Sequence, residues 1–412
     1  MPHPDNRQLA AEIRAIINRP PAANLRRIWK SQASLVIAVA RQIQSIPAPT
    51  FQEAIRARDV ETRFRALGLS DISTDDICNV WARTPGSDPS RPALLVSAHL
   101  DTVFPAGTDL AIRDEHDGPS YQGRLAGPGL GDNSLGVAGM LALAGLLNDA
   151  RLGLPADIWW VATVGEEGLG DLRGIRRVCE KLKGNLGLAI ILEGVGLAHI
   201  FHAGLGVRRL RVDVTAPGGH SWSQSEQPSA IHHMMQIGSQ LVERVLPSSQ
   251  PKSSFNIGLI SGGTSINTRA PDARLSIDLR SVDIEALHGL EEQVISVIAS
   301  IPRPPHVEVS VTVIGDRPAA SLSTGHPLVQ ASVLSLAQVD PSINAELTIG
   351  STDANAPLAH GIPAVCIGLT TGGDAHSLTE YINLSPLPSG LERAWLLTLI
   401  AADHTHDWNG WL

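Results

Sequence analysis

Three short runs in the first half of the chain are almost wholly apolar: Ala93-Leu-Leu-Val-Ser-Ala98, Asp157-Ile-Trp-Trp-Val-Ala-Thr-Val164 and Leu188-Ala-Ile-Ile-Leu192. Runs of this length, rich in branched residues, are strands with both faces buried. A helical stretch, Val137 to Ala150, separates the first two, and the pattern returns in Leu328 to Ala337, Ala364-Val-Cys-Ile-Gly368 and Leu391 to Asp403. Apolar strands alternating with helices predict an α/β sheet covered on both sides. Ahead of it, residues 7 to 45 carry helical patterning, Ser45-Ile-Pro-Ala-Pro breaks it, and a second helix is expected over Glu53 to Leu67.

The middle of the chain reads differently. Val207-Arg-Arg-Leu-Arg-Val-Asp-Val214 alternates apolar and polar residues, as a strand with one wet face does. A helix near Ser229 to Val245, strands Ser254 to Ile260 and Ala273 to Arg280, a helix over Ile284 to Ser300 and the strand Val307 to Val313 follow. This βαββαβ order predicts a ferredoxin-like layer. Since 412 residues exceed one ordinary core, the expected organisation is an α/β domain in two parts, 1–205 and 317–412, interrupted by a smaller α+β domain at 206–316.

With 32 Lys and Arg against 41 Asp and Glu, and no basic block, nucleic acid is not an expected partner. The beginning MPHPDNRQLA lacks the apolar core of a secretory signal. Val137 to Leu147, taken as the longest apolar stretch, falls short of the roughly 20 residues that span a bilayer, so no membrane association is expected. Cys78, Cys179 and Cys366 form no CxxC pair and read as buried, reduced thiols. A cytoplasmic location is the matching expectation.

Several polar residues interrupt the apolar pattern where strands end, which is where α/β sheets build their sites. His99 in Ala98-His99-Leu100-Asp101 follows a strand, with Asp101 on the same side to accept a hydrogen bond from the imidazole. Asp132 lies in the Gly-dense turn Gly127-Pro-Gly-Leu-Gly-Asp132-Asn133, where it can cap a helix or face cations. The adjacent Glu166 and Glu167 repel each other, which invites a cation or a proton between them. Glu193 ends a further strand and His376 sits in the loop Gly372-Gly-Asp-Ala-His-Ser377 after another. Each alone is compatible with an ordinary surface or capping role. Together, five oxygen and imidazole donors at strand ends of one sheet form a set that suits a hard or borderline metal ion.

The ordered segments HLDTVFP, GLGDNSLG, TVGEEGLG, ILEG and DAHS resemble the zinc metallopeptidase superfamily of peptidase T, carboxypeptidase G, acetylornithine deacetylase and aminoacylase, over nearly the whole chain. The resemblance implies a zinc-exopeptidase-like catalytic domain with an inserted dimerisation or lid domain, and two Zn²⁺ per subunit, replaceable by Co²⁺ or Mn²⁺. Asp132 would bridge them, Glu167 and His376 completing one site and His99 and Glu193 the other. It further implies Glu166 as general base and Asp101 as the partner of His99. In the insertion, Ala216-Pro-Gly-Gly-His220-Ser221 resembles a loop whose His stabilises the oxyanion, commonly in the partner subunit. Asn267 in Gly262-Gly-Thr-Ser-Ile-Asn267 and Arg280 in Leu275-Ser-Ile-Asp-Leu-Arg280 resemble residues that bind the substrate's carbonyl and carboxylate.

The implied activity is hydrolysis of an amide bond in a small peptide or N-acyl amino acid by metal-activated water, in a homodimer that closes over its substrate. HLDTVFP and Gly315-Asp-Arg-Pro318 lean toward the peptidase T-like and carboxypeptidase G-like branch, whereas glutamate at position 193 leans toward deacylases. Two alternatives stay open: a deacylase or amidase whose substrate lacks a free carboxylate, and a peptide- or metabolite-binding protein without turnover. No GxSxG elbow points to a serine mechanism.

Overall fold

The computed structural model describes residues 6–18, 28–115 and 123–409. In it the chain forms two compact units, Met1–Ala203 with Ser321–Leu412, and Gly204–Ala320. The patterning over 7 to 45 becomes the helices Asn6–Asn18 and Trp29–Gln44, and residues 19–27 lie outside the described residues.

The first unit is built on a mixed sheet of nine strands among the described residues. Four carry the site: β1 (Ala93–His99), β2 (Ile158–Thr163), β3 (Leu186–Val195) and β4 (Ala364–Thr370). They lie in the order β2-β1-β3-β4 and are parallel. Every residue of β1 and β4 is buried; because successive side chains point to opposite faces, the sheet is covered on both. Antiparallel strands flank this block, Val80–Thr84 and Ser70–Thr74 beyond β2 and His199–Gly204 beyond β4.

The helix Leu135–Ala150 packs on the sheet through small residues. A Cβ on Gly139 would stand 2.2 Å from Leu369 Cδ1, so a larger residue here would displace that leucine side chain. The apolar helical run extends over Leu130–Ala150, 21 residues, longer than the stretch read from the sequence. Its most apolar window is 83% buried inside the fold, which is the packing of a core helix.

A small second sheet pairs Arg124–Ala126 with Tyr381–Asn383, and Tyr381–Asn383 with Gly372–Gly373. It joins the chain just before the Asp132 turn to the segment that carries His376.

The unit Gly204–Ala320 is a four-stranded antiparallel sheet in the order Ser253–Gly262, Asp272–Ser281, Gly206–Thr215, Glu308–Arg317. With the helices Ala230–Arg244 and Ile284–Ser300, this is a ferredoxin-like arrangement. Leu210, Val212, Leu275, Ile277 and Leu279 of the strands and Met234, Ile237, Leu287 and Val294 of the helices form its core.

Cys179 and Cys366 are buried. Cys78 departs from the expectation and is only half-buried, because it sits in a turn at φ 77° with its N–H bonded to Asp75 O.

Candidate metal centre

The parallel strands end on one edge of the sheet, and their ends carry most of the site. His99 is the last residue of β1, in register with Thr163 at the end of β2. Gly165, at φ 69°, then turns the chain so that Glu166 and Glu167 follow immediately. Glu193 faces Gly368 across β3 and β4; the strand continues to Val195, so Glu193 lies just inside its end. His376 follows β4 after the short pairing of Gly372–Gly373. Asp132 comes, as its Gly-dense segment implies, from the turn that enters the helix Leu135–Ala150, so the grouping of all five donors at strand ends of one sheet does not hold for it.

The six side chains converge in a particular way. His99 Nε2 lies 3.1 Å from Asp132 Oδ1 and 3.6 Å from Glu193 Oε2. His376 Nε2 lies 3.1 Å from Asp132 Oδ2 and 3.2 Å from Glu167 Oε1. Asp132 therefore offers one oxygen to each imidazole, and each imidazole has one glutamate of its own. Donor atoms of His99, Asp132 and Glu167 all fall within 4.8 Å of one another. Glu166 is buried beside them.

Nδ1 of His99 is 3.0 Å from the main-chain oxygen of Asp101 and 3.6 Å from its carboxylate. Donation from Nδ1–H leaves the Nε2 lone pair directed at the cluster. The Asp101 carboxylate is instead engaged mainly with the next loop. It accepts the N–H groups of Glu166 and Glu167, both at 3.0 Å, and the Thr50 hydroxyl at 2.9 Å.

Two further side chains, unremarked in the sequence, do the same for the other loops. Asn133 Nδ2 donates to Leu192 O at 2.8 Å and its Oδ1 accepts from Gly194 N at 3.0 Å, bracketing Glu193. Glu380 accepts the N–H groups of Gly129, Gly131 and Asp132 at 2.8, 2.6 and 2.8 Å. The only sequence signal for Glu380 is its position four residues after His376. Asp353, in the loop 350–355, lies with Oδ2 2.6 Å from Thr163 Oγ1, and burial together with the charge of Glu166 pushes it up to about 8.

Crowded carboxylates dominate the electrostatics. Burial, then the charges of Asp132 and Glu166, push Glu167 up to about 7. Burial likewise brings Glu193 to about 7, against the attraction of His99. Hydrogen bonds to Asp132 and Glu167 raise His376 to about 10. Burial would lower His99, yet Glu193, Asp101 and Asp132 raise it well above the ordinary imidazole range. Burial opposes ionisation of Asp132, but the two imidazoles hold it far below the usual carboxylate range. Such a cluster favours positive charge at its centre. Its oxygen and imidazole donors, shared through one carboxylate, fit a pair of divalent cations.

The remaining candidates lie in the unit Gly204–Ala320. His220 belongs to a two-residue strand and faces Thr268, while Ser221 N donates to Asn267 O at 3.0 Å, so His220 and Asn267 are neighbours. Both are exposed. This ribbon continues from the Asp272 end of the strand Asp272–Ser281. Arg280 is at the opposite end, eight residues or about 27 Å along it. There its Nε donates to Asp278 Oδ1 at 2.7 Å.

A parallel-stranded sheet with a carboxylate shared between two imidazole–carboxylate pairs is an arrangement suited to metal-dependent chemistry, and the family match that follows makes it that of a metal-dependent hydrolase acting on peptide bonds. The profile of Peptidase family M20/M25/M40 matches residues 95–397, and the chain belongs to that family. It is 22% identical over 340 residues to the uncharacterized protein YqjE of Bacillus subtilis, covering 79% of this chain and 87% of that one. Among solved structures, a tripeptidase of Staphylococcus aureus superposes with a TM-score of 0.71 at 19% identity, over 90% of this chain and 98% of that one. The YXEP protein of Bacillus subtilis, a dinuclear metal binding peptidase, superposes with a TM-score of 0.60 at 16% identity, over 91% and 99%.

Proposed function

We propose that the chain is a di-zinc hydrolase that cleaves the amide bond of a small peptide or N-acyl amino acid. The observation that carries this is the Asp132 carboxylate, with one oxygen 3.1 Å from each imidazole. The likeness to a tripeptidase and to a dinuclear metal binding peptidase supports both the substrate size and the metal count.

Asp132, Glu167 and His376 would hold one ion and Asp132, His99 and Glu193 the other. Bound zinc would polarise the scissile carbonyl and make a water acidic near neutrality. Glu166, which is not needed between the imidazoles, would take the proton from that water and return it to the leaving amine. Asp101 keeps Glu166 in place by accepting its N–H. His220 and Asn267 would contact the substrate's carbonyl oxygen and Arg280 its carboxylate. Because His220 and Arg280 occupy opposite ends of one sheet, a homodimer in which His220 serves the second copy is the matching assembly; a fully active monomer in sedimentation would remove it.

The test is metal analysis of the purified protein together with hydrolysis of dipeptides, tripeptides and N-acyl amino acids. About two zinc ions per chain are expected, with activity lost on chelation and restored by zinc. No bound metal after zinc reconstitution would overturn the assignment.

The Arg280–Asp278 pair favours a second reading, in which Arg280 is structural and the substrate carries no free carboxylate. On the leading reading, Arg280→Ala raises KM for carboxylate-bearing substrates by about 10- to 100-fold, the worth of a charge-assisted hydrogen bond pair. Unchanged kinetics would select the second reading.

A further inference from the structure

We infer that Glu380 is a positioning residue of the metal centre, whose carboxylate sets the angle at which Asp132 presents one oxygen to each imidazole–carboxylate pair. This rests on reading the cluster as a dinuclear metal centre.

Glu380 is 1% exposed. Among the described residues no basic side chain pairs with it, and its carboxyl oxygens are met only by the N–H groups of Gly129, Gly131 and Asp132. Burying a carboxylate in this way is costly, and backbone N–H dipoles are its sole compensation. Main-chain pairing already fastens the two segments without that cost: Gly127 N donates to Glu380 O at 2.7 Å, and Tyr381 pairs with Ala126. The side chain therefore contributes something beyond attachment, and what it touches is the turn that delivers Asp132.

The turn is shaped around it. A Cβ on Gly131 would stand 3.0 Å from Glu380 Oε1 and 2.9 Å from Val195 Cγ1, so a larger residue there would press on the carboxylate and on Val195. One short segment thus grips Asp132 twice, through His376 at its carboxylate and through Glu380 at its main-chain N–H. With both ends held, the plane of the Asp132 carboxylate is set before any ion arrives, which is the condition for bridging.

The experiment is zinc titration by chelator competition on the full chain, with the visible spectrum of the Co²⁺-loaded protein and thermal melting of the metal-free protein, for wild type, Glu380→Gln and Glu380→Ala. Glutamine keeps the shape, but turns an amide NH₂ toward one of the three N–H groups. Glu380→Gln is expected to weaken zinc binding by about 10- to 100-fold and to alter the Co²⁺ bands, while the metal-free melting temperature stays near that of wild type. Unchanged affinity, stoichiometry and spectrum would overturn the proposal. So would a drop in metal-free melting without a spectral change, which marks a structural role only. If Glu380→Ala does not fold, Glu380→Gln carries the same test alone. A wild type that binds no metal would instead overturn the dinuclear reading itself, and the two failures are therefore distinguishable.

Discussion

Glu166→Ala is expected to lower kcat by about 10²- to 10⁴-fold, the usual contribution of a positioned general base, while the metal content of the protein stays at the wild-type level. The separation of the two effects follows from the geometry. Asp132, Glu167 and Glu193 each bring an oxygen within 3.6 Å of Nε2 of His99 or His376 and are the carboxylates assigned to the ions, while Glu166 is assigned the proton. Its removal also relieves rather than creates charge imbalance, since its own charge helps to push Glu167 and Asp353 up. Steady-state kinetics with metal analysis on the same sample is the check. Loss of metal together with activity would make Glu166 a ligand, and activity within a few-fold of wild type would leave the proton transfer to another group.

Asp132→Ala should be as damaging to turnover and should act through the metal. Removing the carboxylate shared by the two imidazoles leaves each imidazole–glutamate pair without its third donor, and a fall of roughly 10²-fold or more in metal affinity is expected, beyond the loss of about 10- to 100-fold typical of an outer partner, with at most one ion retained. The metal-free protein gives an independent reading. Hydrogen bonds to Asp132, the larger contribution, and to Glu167 raise His376 from 6.5 to about 10, and the variant loses the Asp132 part. A raised imidazole pKa stabilises the fold fully below the unfolded value and loses that stabilisation as the pH climbs through the folded one. Metal-free wild type should therefore melt above the variant near pH 6 to 7 and the gap should close as the pH approaches 10. Equal melting temperatures across this range, or two ions still bound, would show that Asp132 is not the bridge.

What the sequence announced and what it withheld divide along physical lines. The strands β1 to β4 are legible because a strand buried on both faces is a continuous apolar word, and polar residues directly after such words stand out. The flanking antiparallel strands carry no such mark: Ser70-Asp-Ile-Ser-Thr74 is largely exposed, and His199–Gly204 has only intermittent burial. Asp132 was legible through its glycines, which need a sharp turn, and through the apolar helix that the turn leads into. Asn133 and Glu380 were not legible, since they act on main-chain groups of segments far away in sequence, 59 residues in one case and 248 in another. Backbone N–H groups have no residue type, so such contacts leave no pattern to read. Arg280 shows the converse limit, because a motif says nothing about which end of a strand its neighbours occupy.

The three brackets around the centre belong to one another. Asp101 comes with His99 and holds the Glu166–Glu167 turn; Asn133 comes with Asp132 and holds the strand around Glu193; Glu380 comes with His376 and holds the turn of Asp132. Three of the five pieces of chain that supply a donor also serve as another piece's scaffold, and in one line of support each member holds the next: the His376 segment holds the Asp132 turn, and that turn holds the strand of Glu193. A change in the last segment of the chain therefore reaches two donors that lie far ahead of it in sequence.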